Sequence, residues 1–373
     1  MQKKKLGIII NPIAGMGGKT GLKGTDGPEI INQAKRMGAS PESPQRAIET
    51  LRVIRKIRDE VEIFTYPQEM GETEAKQSAF FPTVLGSIKS GETTPEDTQR
   101  AGKEMMNLGV DLLLFAGGDG TARDIYNAVG QEVTVLGIPA GVKIHSGVYA
   151  VTPRRAGEVA VKFLTSATPE TTEAEVMDID EVSYREGILA AKLYGYLRIP
   201  EGREFIQNPK SGGTQTEKHI LQDIATDLTN SMEKDCLYIA GPGTTTRDIL
   251  AHQGLNKTLL GVDVVLNGQL VAKDVNETQL RRLIVGKKAK IVVTVIGGQG
   301  YIFGRGNQQI SPEILSKIGK ENIIVVATKE KLLSLHGRPL LVDTGNVAVD
   351  EMLSGYIRVK TGLGNSAVYK VAS

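Results

Sequence analysis

Short continuous apolar runs and segments of helical period alternate along the first part of the chain. Residues 6–10 form an unbroken apolar run of the kind that suits a strand buried on both faces, and it stops at Asn11-Pro12. Ser43-Pro44 supplies an N-cap followed by proline at the first helical position, and Ile48, Leu51, Ile54 and Ile57 continue at helical spacing. Residues 61–66 read as the next strand. Thr94-Pro95 repeats the helix start, with Asp97 at the capping-box position and Gly109 closing the helix. Residues 110–116 make the most apolar strand of this half, a helical stretch runs through Val129, and residues 133–138 end at Pro139-Ala140-Gly141. This alternation predicts an α/β domain with an open parallel sheet and helices on both faces. Ligands of such sheets sit beyond the carboxyl ends of the strands. The loops that follow residues 10, 116 and 138 all fall on that edge.

The pattern changes near residue 150. Residues 175–181 and 188–199 read as strands with no crossover helix between them, which places a domain boundary near 150, between an α/β domain over 1–150 and a second domain over 151–320. Residues 201–216 are polar and glycine-rich, as in an exposed loop or flap. Residues 237–240, then Gly241-Pro242-Gly243-Thr244-Thr245-Thr246, then helical residues 247–252 rebuild the order of strand, glycine loop and helix. Asn267-Gly268 between two apolar runs is a hairpin signal. Residues 291–296 lead into Gly297-Gly298-Gln299-Gly300 and Gly304-Arg305-Gly306. The segment 321–373, with a strand at 323–327, a helix near 329–335 and a strand at 340–342, is expected to rejoin the first sheet.

Composition narrows the possibilities. A chain of 373 residues, 40% hydrophobic and 24% charged, is globular and long enough for two cores. Its net charge is only +2, from 45 basic against 43 acidic residues, which argues against nucleic acid or an anionic membrane as partner. No secretory apolar region follows the lysines at 3–5, and no apolar stretch is long enough to span a bilayer. The single cysteine, Cys236, excludes an intramolecular disulfide framework and fits a reduced, cytoplasmic setting. His145, His219, His252 and His336 show no metal-ligand spacing. The 43 glycines exceed the usual share of roughly 7%, and they gather in loops after apolar runs.

Such loops let backbone N–H groups approach phosphate oxygens at the start of a helix. The loop Asn11-Pro12-Ile13-Ala14-Gly15 continues through Gly17-Gly18-Lys19-Thr20, yet Ile13 breaks a Walker A pattern and Thr20 a dinucleotide pattern. It stays open between a phosphate loop and a flexible turn. Gly117-Gly118-Asp119-Gly120-Thr121 is far more specific, because a carboxylate at the end of a buried strand costs desolvation unless it has a task. Asp119 can take a proton from an attacking hydroxyl or hold Mg²⁺, the glycines free the backbone, and Thr121 can cap the next helix. Arg123 and Asp124 reach substrate or line a solvated helix face. Lys19 and Lys23 neutralise phosphates or are merely exposed. Lys143 and His145 are substrate groups or ordinary loop charges. Tyr194, Tyr196 and Arg198 alternate as one exposed sheet face would, and Tyr301 and Phe303 stack on a base or fill a core.

Asn11-Pro12-Ile13-Ala14-Gly15 followed by Gly117-Gly118-Asp119-Gly120-Thr121 resembles the NAD kinase and diacylglycerol kinase superfamily, whose hallmark is a GGDGT loop after an earlier NPxxG loop. The whole chain is similar to the AcoX-like branch of ATP-NAD kinases, in which Gly241 to Asp248 and residues 297–306 are also typical. The resemblance implies an α/β domain and a β-rich domain with a cleft between them. It implies that Asp119 activates the 2′-hydroxyl of the adenosine ribose of NAD for attack on the γ-phosphoryl group of ATP, or on polyphosphate, with Mg²⁺ bridging the donor. Asn11, Gly15, Gly117, Gly118, Gly120, Thr121, Gly243, Thr244, Thr245, Thr246, Arg247 and Asp248 would then bind nucleotide and phosphate, and the enzyme would be a homo-oligomer. Two departures stand out. Arg247-Asp248 replaces the Ala-Tyr end of the corresponding NAD kinase stretch, and the Asn-Glu pair that grips the nicotinamide-side ribose is missing. They leave open a kinase of a polyol, sugar or lipid, although no basic apolar membrane-binding segment favours the lipid. A non-catalytic nucleotide-binding regulator is the third possibility, and the intact Asp119 speaks against it.

Overall fold

The computed structural model describes residues 3–22, 28–141, 144–179, 191–202 and 217–373, so Lys23, Lys143 and residues 203–216 of the flap expected at 201–216 lie outside the described residues. The chain forms two compact units, one from residues 1–16, 24–184 and 189–209, the other from 17–23, 185–188 and 210–373.

The first unit holds a parallel sheet of β1 (Lys4–Ile10), β2 (Val61–Thr65), β3 (Thr83–Val84), β4 (Leu112–Gly117) and β5 (Val135–Pro139), in the order β3-β2-β1-β4-β5. The strand order reverses between β1 and β4, which pair from Leu6 with Leu112 to Ile10 with Ala116. A crevice therefore opens where Asn11 and Gly117 leave the sheet. After α1 (Gly17–Thr20), which belongs to the second unit, the helices are α2 (Pro28–Arg36), α3 (Ser43–Ile54), α4 (Glu72–Gln77), α5 (Pro95–Asn107), α6 (Asp119–Val129) and α7 (Pro153–Thr165). Alternate residues of each strand serve opposite faces. Ile8 and Ile10 pack with Leu51 and Ile54 of α3 and Val159 of α7, while Ile9 packs with Met105 of α5 and Ile125 of α6. The expected capping box of α5 is present, with Thr94 N donating to Asp97 Oδ2 at 2.8 Å.

An antiparallel ribbon of β6 (Thr171–Ile179) and β7 (Ala191–Pro200) also belongs to this unit, so the boundary expected near 150 is too early. The ribbon packs on α6. Gly195 lies so close to the Tyr126 ring that a β-carbon would come within 2.4 Å of it. Tyr194 Oη donates to Asn127 Oδ1 at 3.0 Å, and Arg198 reaches Glu132 O at 2.8 Å. Alternation along the strands predicted their faces correctly, but the helix they would cover leaves no mark in their own sequence.

The second unit contains α8 (Glu217–Asn230), β8 (Cys236–Ala240), α9 (Thr244–His252), β9 (Asp263–Leu266), β10 (Gln269–Ala272), α10 (Glu277–Leu283), β11 (Lys288–Thr294), β12 (Tyr301–Phe303), α11 (Pro312–Ile318), β13 (Ile323–Val326), α12 (Lys329–Leu333), β14 (Leu340–Val342), α13 (Val347–Leu353), β15 (Gly355–Gly362) and β16 (Asn365–Ala372). Its mixed nine-stranded sheet has the order β10-β9-β8-β11-β13-β15-β16-β14-β12. β8, β11 and β13 are neighbours and parallel, which puts their carboxyl ends on one edge. The hairpin at Asn267-Gly268 is as expected, with both residues at positive φ, 51° and 73°. The C-terminal segment does not rejoin the first sheet. Ile323 of β13 pairs with Ile291 of β11, and β14 to β16 extend the same sheet.

Candidate active site

Asn11 follows the last residue of β1 and is held by backbone and side-chain hydrogen bonds. Its backbone N–H donates to Ala116 O at 3.0 Å, its carbonyl accepts from Ser43 Oγ at 2.5 Å, and its Oδ1 accepts from Ile13 N at 3.2 Å. Its Nδ2 donates to Thr121 Oγ1 at 3.0 Å. Thr121 therefore does not cap α6, whose N-cap is Gly118; it is buried and ties the β4 loop to the β1 loop. Gly117 must be glycine, since a β-carbon there would lie 2.2 Å from Thr121 Oγ1. The Gly117 carbonyl accepts from Ala140 N at 3.0 Å and Gly141 N at 2.9 Å, and Gly15, at φ 89°, lies close against Ala140 O. The loops after β1, β4 and β5 thus touch one another at the edge where the strand pattern placed all three.

Asp119 opens α6, where the helix dipole favours an anion. Its carboxylate, 12% exposed, is met by one turn after β5. Oδ1 accepts from Ser146 N at 3.0 Å and Ser146 Oγ at 2.6 Å. Oδ2 accepts from His145 N at 2.8 Å, and His145 Nδ1 lies 3.3 Å away, a hydrogen bond when that nitrogen carries the proton. The turn is pinned in its own right. Met177 N donates to Ser146 Oγ at 2.9 Å, Gly147 N donates to Glu175 O at 2.8 Å, and Tyr149 Oη donates to Gly118 O at 2.5 Å. His145 is therefore part of the site rather than a plain loop charge. Ser146 carried no sequence signal beyond its place after the third loop. Asp124 turns toward α5 and accepts from Gln99 Nε2 at 3.2 Å, and Arg123 is half-buried.

N–H and O–H groups thus converge on both oxygens of the carboxylate. Among the described residues no group of three or more His, Cys, Asp or Glu is arranged to hold a metal.

Within the second unit, Gly243 is the N-cap of α9 at φ 126° and donates its N–H to Leu259 O at 2.8 Å. Thr246 Oγ lies 2.7 Å from Gly241 O and 3.0 Å from Gly243 O, closing the loop on itself. The turn carrying Leu259 is braced by Asp263, fully buried, which accepts from Thr258 N at 2.6 Å and Thr258 Oγ1 at 2.7 Å. Thr245 Oγ1 receives Lys331 Nζ at 2.7 Å, and the same ammonium lies 3.4 Å from Thr294 Oγ1 and 3.5 Å from Val295 O. Groups at the carboxyl ends of β8, β11 and β13 thus meet around Lys331, a residue that sequence reasoning missed. Thr244 is exposed, and Arg247 pairs with its neighbour Asp248 at 2.7 Å. Tyr301 and Phe303 are fully buried core residues rather than a base platform. Arg305 covers the Tyr301 ring at 5.0 Å and pairs with Asp343 at 2.9 Å, and a β-carbon at Gly304 would strike Asp343 O at 1.9 Å. Much of the 297–306 stretch is therefore occupied in holding the fold.

The ATP-NAD kinase N-terminal domain matches residues 6–167, and the ATP-NAD kinase C-terminal domain matches residues 235–371. A comparison with curated proteins finds no match. The first match spans Asn11, Gly117 to Thr121 and the His145-Ser146 turn, and the second spans Gly243 to Asp248 and Lys331. With both domains matched over most of its length, the chain belongs to the ATP-NAD kinase family of phosphotransferases, which use ATP as phosphoryl donor.

Proposed function

We propose that this enzyme transfers the γ-phosphoryl group of ATP to the 2′-hydroxyl of the adenosine ribose of NAD, forming NADP. The observation that carries the proposal is Asp119, a braced carboxylate at the carboxyl edge of a parallel sheet, at the start of α6 and among glycines. Asp119 accepts the hydroxyl proton as the ribose oxygen bonds to the γ-phosphorus, the bond from that phosphorus to the β,γ-bridging oxygen breaks, and ADP leaves. Backbone N–H groups of Gly117, Gly118 and Gly120, and of the Gly15 loop, offer phosphate contacts, with Asn11 and Thr121 fixing the loops to each other. Gly243, Thr244 and Thr245 at the start of α9, with Lys331 and Arg247, provide positive potential for nucleotide phosphates. Thr246 and Asp248 shape that loop through their own contacts. ATP enters as its Mg²⁺ salt, so the metal is carried by the phosphates.

The test is to incubate the protein with Mg²⁺, NAD and either ATP or polyphosphate, and to assay NADP enzymatically. NADP should form and should fall at least about 100-fold in Asp119→Asn. Absence of NADP with both donors, together with ATP consumption on adding a polyol, would move the acceptor to another hydroxyl compound. A homo-oligomer and a cytoplasmic setting belong to the same proposal, the first supported by the family resemblance and the second by the single buried thiol of Cys236. Among the described residues no helix is long and apolar enough to cross a membrane.

A further inference from the structure

We propose that Ser146 is the positioning residue that aims Asp119, and that Oδ2, the oxygen beside His145, is the one that takes the acceptor's proton. The proposal rests on Asp119 being the proton acceptor of the transfer. An ionised carboxylate has about four lone-pair directions, and the turn supplies a nitrogen or oxygen to each: Ser146 N and Oγ to Oδ1, His145 N and Nδ1 to Oδ2. A substrate hydroxyl can bond to Asp119 only by displacing one of them.

The four are not equally displaceable. The Ser146 hydroxyl is fully buried, gives its one proton to Oδ1 at 2.6 Å, and is itself oriented by Met177 N at 2.9 Å. The two backbone N–H groups cannot leave without unseating a turn that Gly147 and Tyr149 fasten to β6 and to Gly118. His145 Nδ1 makes the longest contact, at 3.3 Å, and belongs to a side chain rather than to the backbone of the turn. Three contacts therefore fix the carboxylate plane, and the fourth marks the place of the incoming hydroxyl. In this arrangement the ribbon residue Met177 acts on Asp119 through Ser146. The imidazole holds the position that water would otherwise take beside the reacting carboxylate.

Crystal structures and kinetics of Ser146→Ala, Ser146→Cys and Ser146→Thr test the idea. In Ser146→Ala the Asp119 carboxylate should turn from its present plane; an unchanged orientation overturns the proposal whatever the acceptor proves to be. NADP formation should lose at least about tenfold in kcat with the KM for ATP changed less than about twofold, and Ser146→Thr, which keeps the hydroxyl, should recover most of the loss. If Ser146→Ala does not fold, Ser146→Cys, with its weak donor, carries the same comparison. Introduced into Asp119→Asn, the Ser146 substitution should lower the residual rate no further; an additive loss shows that Ser146 acts independently of Asp119 and overturns the proposal. His145→Ala should lower the KM for the acceptor and raise phosphate release from ATP in its absence. A loss of transfer as deep as that of Asp119→Asn would instead overturn the assignment of Oδ2. Should the wild-type protein make no NADP, the NAD assignment fails while the crystallographic comparison still decides the role of Ser146.

Discussion

Asp119 and Lys331 both lie at helix starts, and the dipole treats them oppositely. The carboxylate of Asp119 is favoured at the start of α6, whereas the ammonium of Lys331, 2.7 Å from Thr245 Oγ1, adds positive charge where α9 is already positive. Such a juxtaposition is relieved when an anion binds. Lys331→Met should therefore raise the KM for ATP by about tenfold or more, as expected for loss of a charge-assisted contact. In thermal melts it should shrink the stabilisation given by ATP, and an ATP-induced shift equal to that of the wild type would refute the phosphate role. Asp119 was legible in the sequence because strand, glycines and carboxylate are contiguous. Lys331 and Ser146 were not, because each meets its partner across many intervening residues and only sheet order brings them together. Glu74 offers a second residue-scale prediction. Burial, reinforced by Glu69, pushes its carboxyl from 4.5 up to about 7, and its Oε2 has no hydrogen-bond partner. The native state then holds a proton that the unfolded chain has released, so this group's contribution to stability falls as pH rises from about 4.5 to about 7. Glu74→Gln should flatten the dependence of the urea midpoint on pH across that window.

Among elements, the loops of the first sheet depend on close approach. Gly117→Ala would force a methyl group into the space of Thr121 Oγ1 and part it from Asn11, so transfer should drop at least about tenfold, measured as kcat/KM at constant pH. The capping box at Thr94 is a purely structural counterpart: Thr94→Ala should cost about 1 kcal/mol of stability in urea unfolding. Helix starts of this kind were visible in the sequence, since cap, proline and acid are neighbours. Thr152-Pro153 uses the same grammar for α7, with the Thr152 side chain accepting from Arg155 N. The β6–β7 ribbon is legible as strands, but the unit it joins is not. Its attachment depends on Gly195 admitting the Tyr126 ring, a contact that no periodicity encodes.

For the whole molecule, alternation of strand and helix foretold the first sheet, while the second unit proved richer in parallel pairing than a β-rich label conveys. Its C-terminal strands were misplaced because an apolar run such as Ile323 to Val326 specifies a buried strand without naming the sheet that receives it. The division into units also interleaves the chain. Residues 17–23 belong with the second unit, where Gly18 lies against the side chain of Gln308 and Gly21 faces Gln309. A ribosome makes that short piece long before it supplies Gln308 and Gln309. The second unit must therefore wait for its later residues to recover a fragment made much earlier, and a gene cut between residues 209 and 210 would part that fragment from the rest of its unit.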